Sequence, residues 1–232
     1  MKRQDGKPLI LGHRGSPGVA PENTLASFEA ALVAGADGIE LDLQITSDGV
    51  LVVHHDADVD DQQVAGLTQE RFRELAPDAP MFSEVLDFLA AHPRSHLNIE
   101  LKVAAEADGR EVALAEALAN WTGPARANAW VSSFDPVALA RLDQLGVELP
   151  LALLVYLEEQ LEPLSSLSVA AVHPFHLMVT RERVEAWHQQ GLTVFPWTVN
   201  DLSVAQSLLA AGVDGLIGDD PGALVGVRDL GA

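Results

Sequence analysis

Two segments of the chain, residues 38–46 and 97–103, alternate strictly between apolar and polar side chains. Neighbouring side chains in an extended strand point to opposite faces, so the polar members of each segment share one face. Those polar members are Glu40, Asp42 and Gln44 in the first segment, and Asn98, Glu100 and Lys102 in the second. Carboxylates on a buried strand are costly unless a cation or another partner compensates them. Three carboxylates and a lysine on two strands therefore predict a metal site with an anion held beside it.

The same alternation is also typical of an antiparallel sheet with one solvated face. We expect a helix after each segment rather than a hairpin turn, which favours a parallel sheet covered by helices. In a closed parallel barrel the apolar face packs against the helices, and the polar face points into the lumen. We therefore interpret the two polar faces as parts of a site inside a barrel.

The ligand types narrow the choice of metal. Carboxylates suit a hard cation, Mg²⁺ or Ca²⁺. The chain has no cysteine and no His-x-His or His-Glu-x-x-His spacing, so zinc fits less well. Lys102 follows Glu100 by two residues and points the same way, so it could hold an anionic oxygen that the metal also touches. It could equally form a salt bridge with Glu100 or Asp42, and the two roles can coexist.

Composition limits the classes of protein and partner. The 232 residues, 48% of them hydrophobic, can form one sizeable core, so we expect a single domain spanning 1–232. The absence of cysteine excludes disulfides and thiolate chemistry and suits a reducing compartment. A net charge of −20 disfavours nucleic acid and anionic lipid as partners. No apolar run is long enough for a signal peptide or a membrane span. We expect a soluble, cytoplasmic protein.

Strand and helix patterns alternate along the chain. Apolar residues at 114, 118 and 121 have helical spacing, and Asp135-Pro136 is typical of a helix start. Repeated strand–helix units indicate a parallel sheet, and eight units in this length match a (β/α)₈ TIM barrel, usually roughly 250 residues long. An open doubly wound sheet is the runner-up, but residues 12–15 lack its dinucleotide-binding glycine spacing. The predicted strands are 9–12, 39–45, 51–54, 97–102, 130–134, 151–156, 170–173, 193–199 and 215–217.

In such a barrel the active-site groups come from the C-terminal ends of several strands. Polar and ionisable residues accumulate at the predicted ends. They are His13, Arg14, Glu40, Asp42, His55, Asp56, Glu100, Lys102, Ser133, His173, Trp197, Asn200 and Asp219. A lone histidine at such a place is usually structural. Two histidines beside three carboxylates indicate catalysis. Trp197 could line the mouth of the barrel or simply pack there, and for His173 we favour packing or a supporting role.

Eight short segments, in chain order, resemble the glycerophosphodiester phosphodiesterase family. They are 12–15, 21–24, 38–42, 48–56, 98–102, 132–134, 197–200 and 212–215. The resemblance implies a (β/α)₈ barrel that hydrolyses glycerophosphodiesters to an alcohol and sn-glycerol 3-phosphate. It also implies one divalent metal ion held by Glu40, Asp42 and Glu100.

The same resemblance implies roles for five further residues. His13 and His55 match the acid–base pair, Arg14 and Lys102 match the phosphate contacts, and Glu22 matches a further active-site position. His55 rather than His54 fits because the pattern places the functional histidine directly before an aspartate. After Asp56 the chain departs from the family pattern, with a short acidic insertion after the second βα region. The insertion could favour a cationic head group or be a solvated loop.

The chemistry of the residues agrees with this expectation. A phosphodiester anion needs charge neutralisation, a base for the nucleophile and an acid for the leaving oxygen. Histidine can serve as either acid or base near neutral pH, and the nucleophile could be water or the neighbouring hydroxyl of glycerol. One rival is a related barrel that cleaves lysophospholipids or sphingolipids, which would want an apolar or basic membrane-facing surface. Another is a non-catalytic barrel that binds metal or phosphodiesters, which the presence of both histidines disfavours.

Overall fold

The computed structural model describes residues 6–104 and 107–230. Within these ranges the strands are β1 (Leu9–Gly12), β2 (Gly38–Ile45), β3 (Leu51–Val53), β4 (Asp58–Val59), β5 (Gln62–Gln63), β6 (His96–Leu101), β7 (Ala129–Ser133), β8 (Leu151–Val155), β9 (Ala171–Pro174), β10 (Thr193–Val194) and β11 (Gly215–Gly218). The α-helices are α1 (Leu25–Val33), α2 (Gln69–Leu75), α3 (Phe82–Ala90), α4 (Arg110–Asn120), α5 (Pro136–Gln144), α6 (Arg181–Gln189), α7 (Leu202–Ala211) and α8 (Pro221–Leu230).

Eight of the strands form a parallel barrel in the order β10-β9-β8-β7-β6-β2-β1-β11. Three backbone hydrogen bonds join the segments at its ends: the N–H of Asp214 donates to the oxygen of Val194 at 3.0 Å, Ile217 donates to Pro196 at 3.1 Å, and Val199 donates to Ile217 at 2.9 Å. Helices lie between most successive strands, and a 3-10 segment (Glu158–Ser166) takes the place of an α-helix after β8. Pro163 lies within that segment and lacks the N–H that a regular helix needs. The predicted (β/α)₈ barrel is confirmed.

The expectation of a helix directly after the first alternating segment is wrong. β2 turns back into β3, which pairs with it antiparallel and lies outside the barrel, so the predicted strand 51–54 is not a barrel strand. The turn 46–50 is stabilised by Thr46, whose hydroxyl donates to Asp48 Oδ1 at 2.6 Å. Gly49 adopts a φ of 82°, a left-handed conformation that glycine tolerates best. The predicted insertion follows, with β4, β5 and α2 preceding α3, the helix of the second unit.

The core divides between the outside and the inside of the barrel. Outward residues such as Ile39 and Leu41 are fully buried against the helices. Inside, Trp130 and Phe195 pack with apolar residues of neighbouring strands and fill the lower lumen. Full burial of one such side chain stabilises the fold by roughly 1.5–3 kcal/mol. The filled lumen leaves the C-terminal mouth of the barrel to the polar side chains.

Two helix starts show how local sequence sets the strand ends. The Asp135 carboxylate accepts a hydrogen bond from the N–H of Val137 at 2.8 Å, with Pro136 in the first turn of α5. Asp201 caps α7 in the same way, accepting from Ser203 and Val204. Both caps follow the C-terminal edge of the barrel and fix where the chain leaves it. Among the described helices, none has the length and apolar character needed to cross a bilayer.

Candidate active site

Three carboxylates meet at the mouth of the barrel. Glu40 and Asp42 lie on β2, Glu100 lies on the adjacent β6, and the strand register sets Asp42 directly beside Glu100. One oxygen from each of the three lies within 4.8 Å of the others. Their exposed fractions are 3%, 1% and 8%, so all three are buried. The structure therefore brings together the three residues predicted to bind metal.

Two cationic side chains partly balance these carboxylates. Lys102 Nζ lies 2.7 Å from Glu100 Oε1 and 3.3 Å from Asp42 Oδ1. Arg14 Nε lies 3.2 Å from Asp42 Oδ2, and its backbone N–H donates to Glu40 Oε2 at 2.9 Å. The salt bridges of Lys102 with Glu100 and Asp42, one of the two roles expected for this lysine, are therefore present. Three carboxylates face two cations, so the cluster would lack positive charge if all three carboxylates were ionised.

A loop after β1 supplies a further hydrogen bond to the cluster. Asn23 Nδ2 donates to Asp42 Oδ2 at 2.8 Å, and Asn23 Oδ1 accepts from the Asp42 N–H at 3.3 Å. Asn23 and Arg14 adopt left-handed φ values of 56° and 54°. Such a conformation costs of order 1–3 kcal/mol in a non-glycine residue and concentrates at functional sites. The backbone is strained where it delivers these two donors to the carboxylates.

Burial dominates the electrostatics of the three carboxylates. Burial, with the neighbouring charge of Asp42, raises the pKa of Glu40 to about 8. The same causes raise the pKa of Glu100, while Lys102 opposes them. Burial would raise the pKa of Asp42 too, but Lys102 and Arg14 outweigh it and hold that pKa below its usual value. All three carboxylates can ionise together only if more positive charge arrives.

The donor set fits a hard divalent cation. Glu40 Oε1 is buried and has no hydrogen-bond partner among the described residues. An orphaned carboxylate oxygen at this depth is costly unless something coordinates it. The three ligands offer oxygen only, which Mg²⁺ and Ca²⁺ prefer.

His13 belongs to a hydrogen-bonded chain at the ends of β1 and β11, next to the strand that carries Glu40 and Asp42. Its Nδ1 lies 2.7 Å from Asp219 Oδ1, and Asn200 Nδ2 donates to Asp219 Oδ2 at 2.6 Å. Burial lowers the pKa of His13, but the bond to Asp219 and the charge of Glu40 outweigh burial, so the pKa lies above its usual value. Asp219 occupies Nδ1 and leaves Nε2 as the nitrogen available for proton transfer.

His55 lies on the segment that follows β3. Its Nδ1 lies 2.6 Å from Asp56 Oδ1, and about a third of its side chain is exposed. It is close enough to the carboxylates that its charge contributes to lowering the pKa of Asp42. The neighbouring His54 instead bonds the backbone oxygen of Asp58 at 3.0 Å and packs edge-on against a phenylalanine of α2. Of the two adjacent histidines, His55 is the one beside the carboxylates.

The remaining candidates lie around the same mouth. Arg14 Nη1 donates to Glu22 Oε1 at 2.9 Å, so Glu22 is tied to the site through the guanidinium. Trp197 Nε1 donates to the backbone oxygen of His173 at 2.8 Å. The Trp197 ring packs against Phe134, Tyr156 and Phe175, with centroids 5.3–6.2 Å apart. Aromatic rings from the ends of neighbouring strands therefore form one wall of the mouth.

His173 is a packing residue inside the barrel. It is fully buried between Trp130 and Phe195, with ring centroids 6.4 and 5.4 Å away. Burial lowers its pKa to about 3, so it is neutral across the physiological range. Ser133, another strand-end residue, donates its hydroxyl proton to the backbone oxygen of Leu101 at 2.7 Å. Both residues support the barrel instead of facing a substrate.

Sequence reasoning left two contributors to the site without a role. Asn23 has no charge or spacing that signals a contact with a carboxylate on the next strand. Asp219 was placed at a strand end but not joined to His13, which is 206 residues away in the chain. A histidine that must hold one tautomer needs an orienting acceptor. For His13, the candidates for that acceptor are the carboxylates at neighbouring strand ends.

Comparisons with known proteins place the chain beside one family. The model of the glycerophosphoryl diester phosphodiesterase family matches residues 13–223. A glycerophosphodiester phosphodiesterase of Caldanaerobacter subterraneus subsp. tengcongensis is 33% identical, over 94% of this chain and 97% of its own. The protein of that name from Bacillus altitudinis is also 33% identical, over 95% and 98%. A solved structure of an Oleispira antarctica phosphodiesterase, in complex with the product sn-glycerol-3-phosphate, is 25% identical with a TM-score of 0.84, covering 97% and 98% of the two chains.

Proposed function

The chain belongs to the glycerophosphodiester phosphodiesterase family and is a phosphodiester hydrolase, and we propose that it cleaves glycerophosphodiesters to an alcohol and sn-glycerol 3-phosphate with one bound divalent cation. We propose that the chain, residues 1–232, forms one domain. Its substrate is a small molecule, and neither nucleic acid nor a membrane is a partner. The observation that carries the proposal is the buried Glu40–Asp42–Glu100 cluster flanked by His13 and His55.

Glu40, Asp42 and Glu100 would hold the cation, either Mg²⁺ or Ca²⁺. When bound, it supplies positive charge against the phosphoryl oxygens and the attacking oxygen. With Glu40 protonated, the two remaining carboxylates balance Lys102 and Arg14. With a divalent cation bound and all three carboxylates ionised, the cluster has a net charge of about +1. A phosphodiester monoanion then restores neutrality.

Arg14 and Lys102 orient the substrate phosphate. Both already lie against the cluster, so their remaining N–H groups can donate to phosphoryl oxygens without a large rearrangement. Glu22 holds the Arg14 guanidinium from the solvent side. Trp197 and the rings around it provide an apolar wall for the carbon skeleton of the substrate.

The two histidines divide the proton transfers. The raised pKa of His13 and the bond from its Nδ1 to Asp219 favour its protonated form, so we assign it as the acid that donates from Nε2 to the leaving alcohol oxygen as the P–O bond breaks. His55 has Nδ1 bonded to Asp56 and accepts the proton of the attacking hydroxyl at Nε2. That hydroxyl belongs to water or to the neighbouring carbon of glycerol. In the second route the alcohol leaves as a cyclic phosphate forms, and water then breaks one ring P–O bond to give glycerol 3-phosphate. Phosphorus NMR separates the routes, because only attack by glycerol passes through a cyclic phosphate.

The experiment that tests the proposal measures glycerol 3-phosphate release from glycerophosphocholine, glycerophosphoethanolamine and glycerophosphoglycerol. Each substrate is assayed with Mg²⁺, Ca²⁺ or a chelator. We expect release that the chelator abolishes, and a loss of roughly 10²–10⁴-fold in the His13→Ala variant with metal affinity retained. The matched control is His92→Ala, a histidine of the outer surface that pairs with Glu29.

Three results would argue against the proposal. Release from lysophosphatidylcholine or sphingomyelin vesicles in preference to the three water-soluble substrates would favour the lipid-cleaving rival. Metal and substrate binding without turnover would favour a binding barrel. Full activity in chelator would show that the reaction does not need a metal.

We also propose a cytoplasmic location, which suits a cysteine-free chain and which cell fractionation tests directly.

A further inference from the structure

Gln44 is a buried amide that the proposed chemistry does not use. It lies on β2 two residues beyond Asp42 and is 4% exposed. Its Nε2 donates to the backbone oxygens of His55, at 3.2 Å, and Asp56, at 3.1 Å. One side chain of a barrel strand therefore holds the carbonyl group of His55 and that of the next residue.

Arg110, at the start of α4, holds the other end of that amide. Its Nη1 lies 3.4 Å from Gln44 Oε1 and donates to the backbone oxygen of Lys102 at 2.5 Å. The guanidinium is buried and is fixed by Asp108, whose carboxylate pairs with its Nε and Nη2. A guanidinium that is buried and paired has little freedom to change its acceptors.

We propose that Gln44 and Arg110 form a clamp that positions His55 relative to Lys102. This inference rests on the proposed function, in which His55 accepts a proton and Lys102 holds the phosphate. His55 lies on the segment after β3, outside the barrel ladder. One backbone bond, from the His54 N–H to the Asp42 oxygen at 3.0 Å, ties this segment to β2, and the Gln44 amide supplies the ties beyond it. Gln44 contacts the backbone of His55, and Arg110 contacts the backbone of Lys102. The clamp therefore does not occupy the side chain of either functional residue. Gln44 and Arg110 are positioning residues, because unlike the two histidines they take no part in proton transfer.

The first test compares Gln44→Met with the matched control Thr46→Val. Both positions are buried on the same face of the β2 segment, and each substitution removes a hydrogen bond to a following loop. Only the Gln44 bonds reach His55. We expect Gln44→Met to lower kcat roughly tenfold to a hundredfold with KM changed by less than about threefold, because displacing a catalytic group by about 1 Å has an effect of this size. We expect Thr46→Val to keep kcat within about twofold of the wild-type value, although its Tm should be similar to that of Gln44→Met.

Hydrogen exchange gives a readout that needs no substrate. Peptides covering residues 54–57 should exchange faster in Gln44→Met than in the wild type, and at the wild-type rate in Thr46→Val. Equal losses of kcat in the two variants, or unchanged exchange and kcat in Gln44→Met, would overturn the clamp. A wild-type protein inactive on every glycerophosphodiester would overturn the proposed function instead, and the exchange comparison would still report whether Gln44 holds the His55 segment.

A double-mutant cycle tests whether the two residues act as one device. Arg110→Lys keeps the charge beside Asp108 but cannot donate to Gln44 and Lys102 in the same geometry. We expect the double variant to lose no more than about threefold beyond the worse single variant, since both changes break the same link. Multiplied effects would show that the residues act independently and would refute a shared clamp.

Discussion

Binding of a divalent cation to the metal-free protein is expected to release about one proton, with Glu40 as its main source. Burial and the charge of Asp42 raise the pKa of Glu40 to about 8. A group with that pKa is about 90% protonated at pH 7, and a carboxylate must lose its proton to coordinate a metal. We therefore expect release of roughly 0.9 proton per cation at pH 7, to which the raised pKa of Glu100 can only add.

The same proton makes the affinity for Mg²⁺ or Ca²⁺ depend on pH. Below the pKa of Glu40, the apparent affinity should rise about tenfold per pH unit and level off above about pH 8, a total change of roughly 90-fold between pH 6 and pH 9. Because the pKa of Glu40 in the folded protein lies above the usual glutamate value of 4.5, its stabilising contribution in the metal-free protein is present below pH 4.5 and is lost as pH rises through about 8. The loss is roughly 5 kcal/mol at about 1.4 kcal/mol per pKa unit. The Tm increase caused by metal should therefore grow with pH.

Isothermal titration calorimetry measures the release directly. Titration of cation in two buffers with different ionisation enthalpies gives the number of protons released per ion bound. Glu40→Gln should reduce the release below about 0.3 proton, whereas Glu22→Gln, an exposed carboxylate at the same mouth, should leave it unchanged. Release below about 0.2 proton in the wild type, with an affinity that is constant from pH 6 to pH 8, would refute the argument that burial keeps Glu40 protonated.

Three further substitutions test separate parts of the site. Asp219→Asn removes the negative charge and leaves only a neutral, weaker acceptor for His13, so the alkaline limb of the kcat/KM profile should move to lower pH; a limb that stays in place would contradict the role of Asp219. Lys102→Met should weaken glycerol 3-phosphate binding, measured by calorimetry, roughly tenfold or more, and should lower the Tm of the metal-free protein because Glu100 loses its partner. Trp197→Ala should raise KM at least about fivefold if the ring lines the substrate site, whereas a fall in Tm of several degrees with KM unchanged would assign it to packing alone.

The fold was predictable where local pattern and tertiary structure agree. Strict alternation over residues 38–46 and 97–103 predicted which face of each strand meets the lumen, because the period of a strand is fixed. The expected helix after β2 is wrong because the local turn signal of residues 47–49, Ser-Asp-Gly, determines the structure there, and the helical pattern begins later in the chain. The predicted strand 193–199 is shorter in the structure, where β10 ends at Val194 and Pro196 lacks a ladder donor.

The site was predictable in its composition and less so in its connections. Residues on one face of a strand can be read from spacing, so the carboxylates of β2 and β6 were expected to share the lumen. Which two lie side by side depends on the register, which sets Asp42 beside Glu100 and which spacing does not specify. The hydrogen bond of Asp219 to His13 spans 206 residues, and that of Arg110 to Gln44 spans 66. Such links arise from the packing of elements that are distant in the chain, for which one sequence carries no local signal.

A protein of net charge −20 that takes an anionic substrate must separate its surface potential from the potential of its site. Here the separation comes from burial. The carboxylate cluster is shielded from solvent, and without metal its charge is near neutral because Glu40 keeps its proton. On the proposed mechanism, exchange of that proton for a divalent cation would make the cluster positive only at the point where the phosphate must lie. A small diester that reaches the mouth would then meet positive charge from the cation, Arg14 and Lys102. On this argument substrate affinity depends on metal loading, and glycerol 3-phosphate should bind the metal-free protein at least about tenfold more weakly than the loaded one.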